Sequence, residues 1–266
     1  MSLLSIVWDL DPVFIKLGSF EIRYYAIMWM AAFLLGSYLF GKMLKKENLP
    51  SELNDAVFLY AFISCIVGAR LGHCLFYDFE YYSAHPLSIL NLREGGLASH
   101  GAAFGMLVGL YLFSKRNKVK YIWTLDRITT VIPLGGGLIR LGNLFNSEIY
   151  GDKTDAPWGF IFKRAGETVP AHPTQIYEAL IYFSLFALMS FFYFKKDMGE
   201  KRPGFLFGLF LVGTFGSRII IEVIKNPQVA FEADMALNMG QILSIPFTLA
   251  GIFFMVKSKD NCKLCQ

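Results

Sequence analysis

Residues 135–148 read Gly-Gly-Gly-Leu-Ile-Arg-Leu-Gly-Asn-Leu-Phe-Asn-Ser-Glu, so an arginine, two amides and a carboxylate close an otherwise apolar run. In hydrocarbon a central arginine costs on the order of 2.5–3.5 kcal/mol on insertion scales, which makes Arg140 a functional candidate rather than filler. Arg140 and Asn143 are three apart and share a helix face, and Gly136 and Gly142 leave room for a lipid headgroup or another backbone. A guanidinium presents planar paired donors that match phosphate oxygens. The same residue types also serve as a polar clamp between membrane helices, and both readings stand at this point.

Further polar residues fall inside apolar runs. Arg218 and Glu222 are four apart and can neutralise each other on one face. Arg70 is flanked by glycines in Gly68-Ala69-Arg70-Leu71-Gly72. His100, in Ser99-His100-Gly101, opens one run, and His172-Pro173-Thr174-Gln175-Ile176-Tyr177-Glu178 opens another with its proline suited to a first helical turn. Imidazole exchanges protons near neutrality, so His100 is a candidate base, although a hydrogen-bonded structural histidine is the commoner case in membranes. Several buried arginines together point to an anionic group, a phospholipid headgroup above all.

These residues need a lipid-embedded scaffold. The chain of 266 residues is 55% hydrophobic and 17% charged, too few charges to cover a soluble body of this size. Windows of about 20 apolar residues predict seven spans, near 24–41, 56–77, 96–113, 121–146, 173–194, 204–224 and 237–257. Lysine and arginine concentrate in loops 42–55, 114–120, 195–203 and 257–266, with fourteen there against seven in the alternate loops. The positive-inside rule therefore sets the N-terminus outside and the C-terminus in the cytoplasm. These anchors account for the net charge of +4, and nothing in it calls for a nucleic-acid partner. The expected architecture is an all-α integral membrane protein of about seven transmembrane helices, a single polytopic domain over 1–266. Residues 1–23 form a small outer-face cap in this reading and 257–266 a cytoplasmic tail.

Of the basic residues in the spans, Arg127 lies beside Asp126 near a cytoplasmic boundary, where it is expected to snorkel or pair locally. Residues 13–23 read as two extended runs around a Gly-Ser turn. Asp9 and Asp11 stand where a cleavable signal peptide would need basic residues. Cys262 and Cys265 form a lone CxxC without the second ligand pair of a structural zinc site, so neither a metal nor a cofactor is expected.

The segment from Arg140 through Asn143, Asn146 and Glu148 to Gly151 closely resembles the signature of bacterial prolipoprotein diacylglyceryl transferases. Further blocks resemble the family in the same order: Arg23-Tyr24-Tyr25-Ala26, the Arg70 and His100 segments, 172–178, Arg218 to Glu222, and Met239-Gly240-Gln241-Ile242-Leu243-Ser244-Ile245-Pro246. The likeness covers nearly the whole chain. It implies an enzyme of the bacterial inner membrane that moves the diacylglyceryl group of phosphatidylglycerol onto the lipobox cysteine of a prolipoprotein signal peptide. By the same resemblance Arg140, Arg218, His100, Tyr25 and Glu148 are catalytic candidates, and Arg140, Asn143, Gly151 and Glu222 are expected to bind substrate; Arg70 and Asn146 join the substrate-binding candidates on their residue type and placement. Relatives commonly carry a tyrosine four residues before the arginine of the sixth span, where this chain has Thr214. A non-enzymatic transporter or flippase of anionic lipid is the alternative, since buried arginines and glycine-broken helices suit it too.

Overall fold

The computed structural model describes residues 5–18, 20–91, 95–96, 98–225 and 237–258; Cys262 and Cys265 lie outside them. In chain order the elements are β1 (Ile6–Trp8), β2 (Val13–Leu17), β3 (Phe20–Arg23), α1 (Tyr24–Lys46), α2 (Glu52–Phe76), α3 (Phe79–Ala84), α4 (Ser99–Arg116) and α5 (Tyr121–Phe145). They continue with β4 (Phe160–Phe162), α6 (Thr174–Lys196), α7 (Met198–Lys201), α8 (Phe205–Ile221) and α9 (Met239–Lys257). Six of these helices, α1, α2, α5, α6, α8 with its following turn, and α9, are long and apolar enough to cross a membrane. The protein is thus mostly helical and of multi-pass membrane type. The expected third span, 96–113, forms α4, which is not among the six because it is only 18 residues long and Ser99, His100, Lys115 and Arg116 make both its ends polar.

Helix surfaces agree with lipid as solvent. Leu34, Phe104, Leu180, Ile220 and Leu249 are each more than 60% exposed, a placement that water would penalise and hydrocarbon does not.

The chain divides into two compact units, residues 39–125 and residues 1–38 with 126–266. In the first, α2 and α4 meet backbone to backbone. A Cβ on Gly72 would lie 2.7 Å from Gly101 Cα, and one on Gly105 would lie 2.8 Å from Gly68 Cα. Small residues at this seam let the helices close to van der Waals contact, which is the main attraction available in a membrane. The glycines flanking Arg70 are therefore filled by a neighbouring helix.

The second unit holds α6, α8 and α9, with Gly208 of α8 against Gly251 of α9. Asp126 is fully buried and accepts from the backbone N–H of Gly204 at 2.7 Å and of Phe207 at 2.8 Å, so it satisfies orphan donors at the start of α8. Arg127 does not snorkel: it is 3% exposed, donates to the Gly199 carbonyl at 3.1 Å and lies over the Tyr193 ring. β2 and β3 pair antiparallel, Lys16 opposite Glu21, as the two extended runs predict. β1 pairs in parallel with β4, Ile6 opposite Phe160 and Trp8 opposite Phe162. Around that pair Leu144, Phe160, Phe162 and Ala171 form a small core with Trp8, Tyr150 and Ile176. This core fastens the 147–172 connection to the end of α5.

Candidate functional site

The site is built where α5 ends. Past Phe145 the chain turns out of the helix through Ser147 and Ile149, whose φ values are 55° and 59°. A β-branched side chain in the left-handed region is strained by about 1–3 kcal/mol and persists only where surrounding contacts over-determine it. Those contacts are present. Glu148 N–H donates to the Asn143 carbonyl at 3.1 Å. From α6, Gln175 Nε2 donates to the Glu148 carbonyl at 2.7 Å and Thr174 Oγ1 to that of Ile149 at 2.9 Å.

The turn folds Glu148 back over the last turn of α5. Asn143 Nδ2 donates to Glu148 Oε1 at 2.7 Å and Asn146 Nδ2 at 3.2 Å. Asn143 Oδ1 faces Arg140 Nη1 at 3.4 Å, so the amide links arginine to carboxylate. Tyr25 closes one side: a Cβ on Gly142 would lie 2.8 Å from its ring, and Tyr24 beside it stacks on Phe145 at 4.5 Å. Gly142 therefore admits a tyrosine, whereas the sequence alone left a headgroup equally open.

Arg140 is also held from α6. Its Nε lies 3.0 Å from Glu178 Oε2, an ion pair without the alignment of a directed N–H···O bond. Glu178 Oε1 accepts from Lys225 Nζ at 3.2 Å. Arg218 on α8 makes the same choice of edge, its Nε donating to Glu222 Oε1 at 3.1 Å. Glu222 is buried and is further held by Asn238, whose Nδ2 reaches its carbonyl at 3.1 Å and Oε2 at 3.3 Å. Asn238 itself caps α9 in a reciprocal box with Gln241. Gly240 makes room for this carboxylate, since a Cβ there would lie 2.6 Å from Glu222 Oε1. Tyr182 on α6 lies within electrostatic reach of Arg140, Glu178 and Arg218, all in the same compact unit.

The two arginines share a plan. Each spends its Nε edge on a glutamate, and among the described residues the only further acceptors on either Nη edge are Asn143 and the Tyr182 phenol at Arg140. Arg140 is 21% exposed and Arg218 42%. Two partly exposed guanidiniums, Arg218 with no acceptor on its Nη edge among the described residues and Arg140 with only neutral partners there, can each take a phosphate oxygen and stabilise charge that grows on it.

Other sequence candidates have different surroundings. Arg70 is 3% exposed, and its five N–H groups all meet backbone carbonyls: Nε to Ile89, Nη1 to Gly95 and Gly96, Nη2 to Ser88 and Asn91. Five donors are all a guanidinium has. Arg70 thereby anchors a loop, with its donors engaged by backbone carbonyls. Gly151 is a close-approach position, where a Cβ would collide with the Ile224 carbonyl oxygen and lie 2.7 Å from Thr174 Cγ2. His100 is exposed in the first turn of α4, within the 39–125 unit. Thr214 Oγ1 is buried without a hydrogen-bond partner among the described residues. Among the described residues no group of three or more His, Cys, Asp or Glu side chains could hold a metal. Glu178, Lys225 and Tyr182 were not among the sequence candidates.

The chain matches the family model described as prolipoprotein diacylglyceryl transferase over residues 12–257. It is 45% identical to the phosphatidylglycerol–prolipoprotein diacylglyceryl transferase of Tolumonas auensis over 252 residues, covering 94% of this chain and 96% of that one. The protein of the same name from Chloroherpeton thalassium is 42% identical over 260 residues, covering 97% and 96%. That from Vibrio cholerae is 32% identical over 259 residues, covering 94% and 92%.

Proposed function

Because the chain belongs to the prolipoprotein diacylglyceryl transferase family, we infer that it transfers the diacylglyceryl group of phosphatidylglycerol to the thiol of a prolipoprotein lipobox cysteine. This is the first step of lipoprotein maturation. Sulfur attacks the glyceryl C3 carbon, the C–O bond to phosphate breaks with its electron pair on oxygen, and glycerol phosphate leaves as the thioether forms. The thiol proton passes to a base.

The observation that carries this reading is the pair of arginines, Arg140 and Arg218, each braced by a glutamate at Nε and, among the described residues, with no charged partner on its Nη edge. In our reading those forks hold the phosphate and gain strength as it becomes a leaving group, so their energy is expressed in the transition state. Asn143 orients Arg140 and, with Asn146, holds Glu148. Glu222 orients Arg218. Tyr25 closes the site against Gly142, and Gly151 shapes it by letting the 151–152 segment lie against Ile224 and Lys225. Glu148 accepts from two amide donors, and by the family resemblance His100 and Glu148 are both candidates for the base that takes the thiol proton.

The site reading implies a topology. We propose seven crossings in the bacterial inner membrane, with α4 as the seventh because it packs on α2 along their glycine seam. The N-terminus and the 147–172 connection face outward, where the substrate's cysteine emerges, with the 1–23 segment part of that outer cap. The lysine-rich loops face the cytoplasm. A cysteine placed at Asp155 should react with an impermeant maleimide in intact cells, and one at Lys118 should not; the reverse pattern would overturn the orientation.

The function is tested with purified protein, phosphatidylglycerol in mixed micelles and a peptide bearing a lipobox cysteine. The peptide should gain the mass of one diacylglyceryl group, with glycerol phosphate released in equal amount. No mass gain, with lipid moved between leaflets of a vesicle, would support transport instead.

A further inference from the structure

Lys225 has no part in the reaction as described, yet its side chain is 4% exposed and its partner Glu178 6%. A buried ion pair is seldom retained for stability alone, because an apolar pair of similar volume serves as well or better. The fold nevertheless pins the lysine. Gly151 pairs with Lys225 as an antiparallel bridge, Asp152 N–H donates to the Ile224 carbonyl at 3.0 Å, and Gly151 lacks the Cβ that would strike that same oxygen.

The explanation lies in how one carboxylate is shared. Glu178 gives Oε1 to Lys225 at 3.2 Å, while Oε2 lies 3.0 Å from Arg140 Nε without a directed hydrogen bond. Two cations and one anion leave the triad with a net charge of +1. Were Lys225 neutral, Glu178 would cancel Arg140 one for one, and at low dielectric that cancellation would be felt strongly by any anion approaching the fork. We propose that Lys225 is a positioning residue which occupies Glu178, so that Glu178 orients Arg140 without neutralising it and Arg140 keeps an uncompensated charge for the phosphate. The proposal rests on the reading that Arg140 binds the phosphate of phosphatidylglycerol.

Charge compensation separates this role from packing. Lys225→Met should lower kcat/KM for phosphatidylglycerol at least tenfold, and Lys225→Arg should stay within a few-fold of wild type. Adding Glu178→Gln to Lys225→Met removes the excess anion while keeping an oxygen for Arg140, and should recover several-fold over Lys225→Met alone. A packing role predicts that the double variant equals or falls below the single one. Glu178→Gln alone raises the site charge by one and should lower KM for phosphatidylglycerol whatever happens to kcat, which keeps the test open if Lys225→Met does not fold. An unchanged Lys225→Met, a double variant no better than it, or an unchanged or raised KM in Glu178→Gln would each overturn the proposal. Failure of the wild type to transfer the diacylglyceryl group would instead overturn the functional reading beneath it.

Discussion

Arg140→Lys keeps the charge and removes the fork. In the native site Nε is engaged by Glu178 and the Nη edge carries only a long, neutral contact to Asn143, so one side chain can be oriented by one edge and bind through the other. A lysine has a single ammonium, and Glu178 lies where that ammonium would be drawn. What is lost is one arm of a bidentate charge-assisted contact, about 1.5–3 kcal/mol. If that contact strengthens as the phosphate departs, the loss falls on the chemical step, about 10- to 150-fold in kcat with little change in KM. The assay is transfer to a fluorescent lipobox peptide in phosphatidylglycerol micelles, with kcat and KM measured separately and unfolding temperature as a control. A folded variant with kcat within twofold of wild type would refute bidentate leaving-group stabilisation. A change confined to KM would show that Arg140 binds ground state and transition state alike.

Arg70→Gln should strand most of five carbonyls and destabilise the fold by about 3–5 kcal/mol, read as a lower unfolding temperature in detergent; an unchanged temperature would remove its anchoring role. Thr214→Val should keep most activity and leave stability level or higher by about 1 kcal/mol, since the buried hydroxyl it replaces has no hydrogen-bond partner among the described residues; a loss of orders of magnitude would make that hydroxyl part of the chemistry. Gly142→Ala should displace the Tyr25 ring and cut turnover at least tenfold, while near-normal rates would mean Tyr25 has room to shift. Burial, with a 2.8 Å hydrogen bond to Glu167, pushes the Tyr150 phenol above the usual tyrosine range. The fold thus favours the neutral phenol, and that stabilisation is complete below about pH 10 and lost as pH rises through the folded value. The gap in unfolding temperature between wild type and Tyr150→Phe should shrink from pH 8 to pH 11, and a constant gap would contradict it.

Hydropathy located the helices because lipid exposure writes itself into composition. The runs near 121–146 and 173–194 became Tyr121–Phe145 and Thr174–Lys196. Local spacing read Arg218 with Glu222 and Arg140 with Asn143 correctly, since residues three or four apart on a helix are neighbours by geometry. Arg70 shows where this ends. Its ligands are backbone carbonyls of a loop some 20 residues onward, and a carbonyl has no sequence letter. Its glycines carried equal ambiguity, because close approach by a helix and by a headgroup ask for the same missing Cβ. Glu178 and Lys225 stayed hidden for a related reason: they are 47 residues apart, and only the fold brings them to Arg140.

The parallel pairing of β1 with β4 bears on how this protein is made. Ile6–Trp8 is made before α1, but its partner Phe160–Phe162 follows only after α5. Trp8 waits for Leu144, its acceptor 136 residues away at the end of α5, and Asp9 waits longer, for Lys163 and Arg164. Insertion can proceed helix by helix from local hydropathy, whereas the strand pair that braces the Glu148 turn must close across a long loop, the slow kind of contact. Competence for catalysis should therefore lag behind membrane integration during biogenesis, and a nascent chain halted before residue 160 would be fully inserted up to α5 with its reactive corner still unassembled.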